Sequence, residues 1–270
     1  MEFIKYVILG IIQGITEPLP ISSSGHLLIL RELFNINVFN DLNFEIIANF
    51  GSFLAILLIF WQDIIRLITN FFKFIFTKGK EKKKYFADFK YCLLIVIGSI
   101  PVGIMGLIFK DQIEAAASVR KVGIALIITA IALLIVKNTK GTKKDYEITY
   151  KDAIFIGLFQ MIALFPGLSR SGMTLVGCLL CGLSRESSLK YAFMLYFPVS
   201  AASFGLSAID IAQSGIDSNL ILSYGFAAIA AFIFTYFTYG WLSNMVKNGK
   251  LWKFSIYCII VATFVLIYFR

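Results

Sequence analysis

Apolar residues fall along this chain in long continuous runs, and short polar segments separate them. A helix needs ~20 apolar residues to cross a hydrocarbon core ~30 Å thick, and six runs meet that need: residues 44–61, 88–109, 119–137, 187–210, 219–243 and 252–270. The runs are continuous rather than alternating, so the spanning elements are helices and not the strands of a barrel. Two further apolar stretches are interrupted. Residues 1–33 are broken by Pro18, Pro20 and the serines Ser22, Ser23 and Ser24, and residues 152–183 by "FPGLSRSG". Each half of such a stretch is too short to span, so both predict re-entrant helix hairpins. The expected fold is an all-α polytopic membrane protein with about six transmembrane helices plus the two re-entrant hairpins.

Composition agrees with this reading. Charged residues make up 15% of the chain and hydrophobic ones 59%; a soluble domain carries about 25% charged residues, so too few are present here to coat a globule. The net charge of +9 does not point to nucleic acid, because no basic stripe interleaves with exposed aromatics. The lysines cluster between apolar runs instead: Lys78, Lys80, Lys82, Lys83, Lys84 and Lys90, then Lys137, Lys140, Lys143, Lys144 and Lys151, then Lys247, Lys250 and Lys253. Basic residues accumulate in cytoplasmic loops, which places 78–90, 138–150 and 244–252 inside. Parity then requires 152–183 to enter and leave on one side, with both termini and the loop 210–218, which carries Asp210 and Asp217, outside. Residues 62–77 put Asp63, Arg66, Asn70 and Lys73 on one helical face, as expected of a helix lying along the cytoplasmic interface. Cys178 and Cys181 have CxxC spacing but no second pair or nearby histidine, and with Cys92 and Cys258 they read as packing residues. The opening MEFIKYVILG lacks the features of a removable signal peptide.

The two broken stretches resemble each other. "GIIQGITEPLPISSSGH" from Gly10 aligns without a gap on "GLFQMIALFPGLSRSGM" from Gly157, pairing Gln13 with Gln160, Ser24 with Ser171 and Gly25 with Gly172 at a constant offset of 147. Three spans follow each unit, and three is odd, so the second unit is inverted relative to the first. The expected organisation is a first repeat over 1–137 and a second, inverted one over 151–270, forming one membrane domain. In such repeats paired broken helices meet near the midplane and build a polar site at their breaks.

The residues at the breaks suit a phosphate-bearing ligand. Serines after a proline turn cap a half-helix whose free N–H groups attract anions. Arg170 adds a permanent charge on a planar fork, and Ser169, Ser171 and Thr174 add hydroxyls. Glu17 repels a phosphate unless it binds a divalent cation, pairs with Arg170 or exchanges protons with the reaction; Gln13 lies one turn before it on the same face. His26 is the chain's one histidine, a side chain suited to proton transfer at neutral pH. Each residue also has a purely structural reading. Ser22, Ser23 and Ser24 serve as caps, His26 as an interfacial side chain, and Glu17 with Arg170 as an ion pair linking the repeats. Glu45 and Lys190 lie near span ends, where they snorkel.

At these residues the chain resembles the bacitracin-resistance type of undecaprenyl-diphosphate phosphatase. "QGITEPLPISSSGH" (Gln13 to His26) and "PGLSRSGMT" (Pro166 to Thr174) are similar to that family's two motifs, in the same order. Pro18 stands where the family usually has Phe, and Gln13 where it has Glu or Gln. The resemblance implies hydrolysis of undecaprenyl diphosphate to the monophosphate and inorganic phosphate, renewing the lipid carrier for cell-wall synthesis in the bacterial cell membrane. It implies a site of Glu17, Ser23, His26, Ser169, Arg170 and Thr174, assisted by Mg²⁺ or Ca²⁺. Arg170, Ser169 and Thr174 would bind the diphosphate, together with Gln13, Ser22, Ser24 and Ser171. Glu17 would hold the metal or orient His26, and Ser23 would attack phosphorus with His26 as its base. The rival reading is a polyprenyl-phosphate flippase, which needs the same Arg and hydroxyls but not Ser23 together with His26. The expected partners are the polyprenyl diphosphate lipid and the bilayer, with a homodimer left open.

Overall fold

Proline and charge divide the apolar chain into helices that pack side by side, and no strand occurs among the described residues. The computed structural model describes residues 2–34, 42–115, 118–214 and 220–269. The helices are α1 (Glu2–Thr16), α2 (Ser23–Phe34), α3 (Leu42–Ile59), α4 (Trp61–Phe76), α5 (Phe86–Ala115), α6 (Val119–Ile135), α7 (Tyr150–Ile162), α8 (Arg170–Leu180), α9 (Arg185–Ser214), α10 (Ile221–Lys247) and α11 (Trp252–Tyr268). The breaks expected at Pro18–Ser24 and at "FPGLSRSG" separate α1 from α2 and α7 from α8. Part of the expected outer loop 210–218 lies outside the described residues.

Among the described residues three segments are long and apolar enough to cross a membrane, Gly79–Phe109, Arg185–Ile209 and Ile221–Lys247, and the bent pair Asn43–Ile59 with Trp61–Phe76 meets the same requirement taken together. The first ends where α5 loses helical geometry at Phe109. Helices α6 and α11 have 17 residues each, the short end of the ~17–25 that a crossing requires. At the end of α3 the chain bends by 71° into α4. The polar face of α4 is tied inward: Asp63 pairs with Lys190 of α9 at 2.8 Å, Arg66 pairs with Asp63 at 3.0 Å, and the Asn70 amide donates to Asp88 of α5 at 2.5 Å. Its other face exposes Ile65, Ile68, Phe72 and Ile75, the amphipathic division of an interfacial helix. Lys190, expected to snorkel, is instead held by Asp63 and by Asp145 at 3.5 Å.

Packing is closest where helices lack side chains. Helix α1 lies along α10, α7 along α5, and α6 along α11. A Cβ on Gly10 would sit 2.3 Å from the Ala227 carbonyl oxygen, and one on Gly157 would sit 2.4 Å from that of Gly98. Small residues let backbones approach where lipid supplies no hydrophobic drive between helices. These contacts fix the height and rotation of α1 and α7, and therefore of the breaks that follow them.

Candidate active site

Helix α1 ends because Pro18 and Pro20 have no N–H to give to a continuing ladder. The Glu17 N–H still donates to the Gln13 carbonyl at 2.9 Å, so Gln13 and Glu17 stay one turn apart on one face. The chain then reverses at Ser22, whose φ of 70° makes it the one described non-glycine residue in the left-handed region. Helix α2 starts immediately, and the Ser22 hydroxyl accepts from Gly25 N at 3.2 Å. The second break closes the same way. Ser169 caps α8, its hydroxyl accepting from Gly172 N at 3.1 Å. Ser171 and Ser169 donate to the Leu19 carbonyl at 3.0 and 3.4 Å, which stitches the two breaks together.

Between the breaks is a cavity of about 200 Å³ lined by Glu17, Ser22, Ser23, Ser24, Asn49, Ser169, Arg170, Ser171, Thr174 and Tyr196 with apolar neighbours. It has room for a phosphate-sized group. Glu17 is the hub. Its Oε1 accepts from Arg170 Nη2 at 3.1 Å; its Oε2 accepts from Ser23 Oγ at 2.6 Å and from Gln13 Nε2 at 2.9 Å. Gln13 Nε2 also donates to Asn49 of α3. The Arg170 guanidinium stands 4.8 Å over the Tyr196 ring, a cation–π contact, and reaches Ser200 Oγ at 3.4 Å. The Glu17 side chain is 6% exposed and that of Arg170 34%, so the anion is shielded while the cation faces the cavity. Thr174 donates to the Arg170 carbonyl at 2.7 Å.

The expected Ser23–His26 pair is not formed. His26 is buried and does not line the cavity; its Nδ1 lies 2.7 Å from the Ser22 carbonyl oxygen and its Nε2 2.8 Å from the Tyr257 hydroxyl. Both ring nitrogens are engaged, and the Ser23 hydroxyl bonds to Glu17 instead. Sequence reading missed Asn49, Tyr196, Ser200 and Tyr257. One signal was present for two of them: the offset of 147 carries Asn49 onto Tyr196. Gln160, the counterpart of Gln13, is equally buried, and its amide has no partner among the described residues; Leu164 stands where its partner would be the counterpart of Glu17.

The donor set does not fit a divalent cation held by the protein. Ca²⁺ takes 6–8 oxygens and Mg²⁺ an octahedral set, whereas Glu17 is the cavity's one carboxylate and both its oxygens already accept hydrogen bonds. One of those donors is the Arg170 cation. No group of three or more His, Cys, Asp or Glu side chains gathers anywhere among the described residues.

A model of the bacitracin resistance protein BacA family matches residues 6–264. The chain belongs to that BacA family. Among its relatives, undecaprenyl-diphosphatase 2 of Bacillus thuringiensis (strain Al Hakam) is 44% identical over 266 residues, covering 98% of this chain and 97% of that protein. Undecaprenyl-diphosphatase 1 of Bacillus licheniformis is 42% identical, covering 99% and 98%. The Oceanobacillus iheyensis undecaprenyl-diphosphatase is 43% identical, covering 98% and 96%. The BacA match spans both breaks, so the cavity lies within the matched region.

Proposed function

We propose that this chain hydrolyses undecaprenyl diphosphate to undecaprenyl phosphate and inorganic phosphate, recycling the carrier of cell-wall precursors and conferring bacitracin resistance. The observation that carries this reading is the chain Ser23–Glu17–Arg170 inside the cavity: a hydroxyl donating to a carboxylate that a guanidinium holds in place. The terminal phosphoryl group binds against Arg170 and the start of α8, where positive dipole and fork meet its charge. Ser23 Oγ attacks the terminal phosphorus while Glu17 takes its proton, and the P–O bond to the monophosphate breaks. Glu17 passes that proton to the departing undecaprenyl phosphate. Water then attacks the phosphoserine and Glu17 accepts the water's proton; as the Ser23 Oγ–phosphorus bond breaks, Glu17 returns that proton to Ser23 Oγ, releasing inorganic phosphate and restoring both side chains. Arg170 offsets the charge that develops in both steps.

A divalent cation, Mg²⁺ or Ca²⁺, would be held by the substrate rather than by Glu17, and would offset the charge of the diphosphate. The diphosphate headgroup enters the cavity from the bilayer of the bacterial cell membrane. The chain crosses that membrane six times, with α1–α2 entering from outside and α7–α8 from the cytoplasm, as two inverted halves, 1–137 and 151–270, of one membrane domain. What supports the inversion is an exchange of partners: α1 with α10 and α7 with α5 correspond by the order of elements in the two halves, the offset relates Gly10 to Gly157 on the α1 and α7 sides of these contacts, and Ser22 and Ser169 are equivalent caps. No observation favours the flippase reading. The test is acid quenching during turnover of labelled undecaprenyl diphosphate: label covalently retained on Ser23 supports the mechanism, and its absence in Ser23→Ala together with unchanged phosphate release defeats it.

A further inference from the structure

We propose that Tyr257 of α11 is a positioning residue that locks His26 in one tautomer, and that His26 so locked is a strut holding Ser22 in its left-handed turn, aiming Ser23 at Glu17. The inference deepens the phosphatase reading and rests on it for its kinetic arm.

The tautomer follows from the partners. A carbonyl oxygen only accepts, so the ring nitrogen 2.7 Å from the Ser22 oxygen, Nδ1, must carry the hydrogen. In the neutral ring Nε2 then has only a lone pair, and the Tyr257 hydroxyl 2.8 Å away must donate to it. The two rings are near parallel, 11° apart with centroids 5.6 Å apart, so α11 fixes the imidazole plane as well as its tautomer. Were Tyr257 absent, the ring would gain the freedom to carry its hydrogen on Nε2, and the bond to Ser22 would be lost.

What the strut holds is strained. A serine at φ 70° occupies a left-handed region that L-residues rarely adopt and keep only where surroundings over-determine it. Three bonds hold Ser22 here. Its carbonyl receives both the His26 backbone N–H at 3.2 Å and the His26 ring, and its hydroxyl receives Gly25 N. The next residue is Ser23, whose hydroxyl must stand 2.6 Å from Glu17 for attack. Relaxing Ser22 would rotate Ser23 away while leaving Arg170 and the α8 cap untouched. Loss of the strut therefore lowers kcat and spares substrate binding.

The chain has a single histidine, so ¹⁵N-histidine labelling of the whole protein in detergent micelles gives one imidazole to read, without substrate. The expected spectrum has a protonated Nδ1 and an unprotonated, hydrogen-bonded Nε2, and Tyr257→Phe moves the Nε2 resonance. A protonated Nε2 in the parent, or no response to Tyr257→Phe, overturns the proposal whatever the fate of the phosphatase reading. In phosphate-release assays Tyr257→Phe lowers kcat by about five- to ten-fold, the scale of one lost hydrogen bond, with KM unchanged. His26→Asn, whose amide nitrogen can take the place of Nδ1, keeps much more activity than His26→Ala or His26→Gln, and adding Tyr257→Phe to it costs nothing further. If His26→Asn is as inactive as His26→Ala while both remain folded by thermal unfolding, His26 transfers protons and the strut is wrong.

Discussion

The Glu17 side chain is shielded from solvent and surrounded by the donors Arg170, Ser23 and Gln13, and the proposed mechanism makes it the base. Glu17→Gln keeps the shape but removes the proton acceptor for Ser23, so kcat falls by about 10²–10⁴-fold, the usual cost of losing a positioned base. If a divalent cation acts on the substrate's phosphates and not on Glu17, then with undecaprenyl diphosphate at saturation EDTA lowers activity, Mg²⁺ restores it, and the Mg²⁺ titration of Glu17→Gln overlays that of the parent. A shifted titration would return the metal to Glu17. Arg170→Ala acts differently: it removes the fork that meets the headgroup and the charge that holds Glu17, so KM rises as kcat falls. An Arg170→Ala enzyme with parental KM would remove Arg170 from substrate binding.

At the scale of elements, the breaks were legible because proline and serine act locally: Pro18 and Pro20 stop α1 wherever it sits, and Ser169 caps α8 from its own sequence. The partners of those breaks were not. Asn49, Tyr196 and Tyr257 lie within helices whose polar residues do not gather on one face, and such a helix carries no periodicity to mark which face meets the site. The surroundings of His26 were hidden for a related reason, since a motif places His26 near Ser23 in sequence but does not record the Tyr257 hydroxyl that α11 brings from the far end of the chain. Helix approach gives a separate prediction. Gly10→Leu and Gly157→Leu drive side chains into backbone carbonyls and destabilise the protein by about 1–3 kcal/mol each, as overpacking does, whereas Gly205→Ala meets open space and does not lower the unfolding temperature. Thermal unfolding in detergent separates the two outcomes; an unchanged transition in Gly10→Leu would mean that α1 and α10 are not in close register.

For the molecule as a whole, topology and activity stand on different evidence and fail separately. If the lysine blocks are cytoplasmic, a single cysteine at position 82 escapes impermeant reagent in intact cells and one at position 215 is labelled; the reverse pattern would dismantle the inverted halves without touching the cavity. The central claim is that this cavity cleaves a lipid diphosphate through Ser23. The most direct measurement is phosphate release from undecaprenyl diphosphate by the purified chain in detergent, alongside Ser23→Ala. The account predicts that the parent turns over and that Ser23→Ala falls by at least about 10³-fold, as expected when a nucleophile is removed. Ser23→Ala releasing phosphate at close to the parental rate would contradict it.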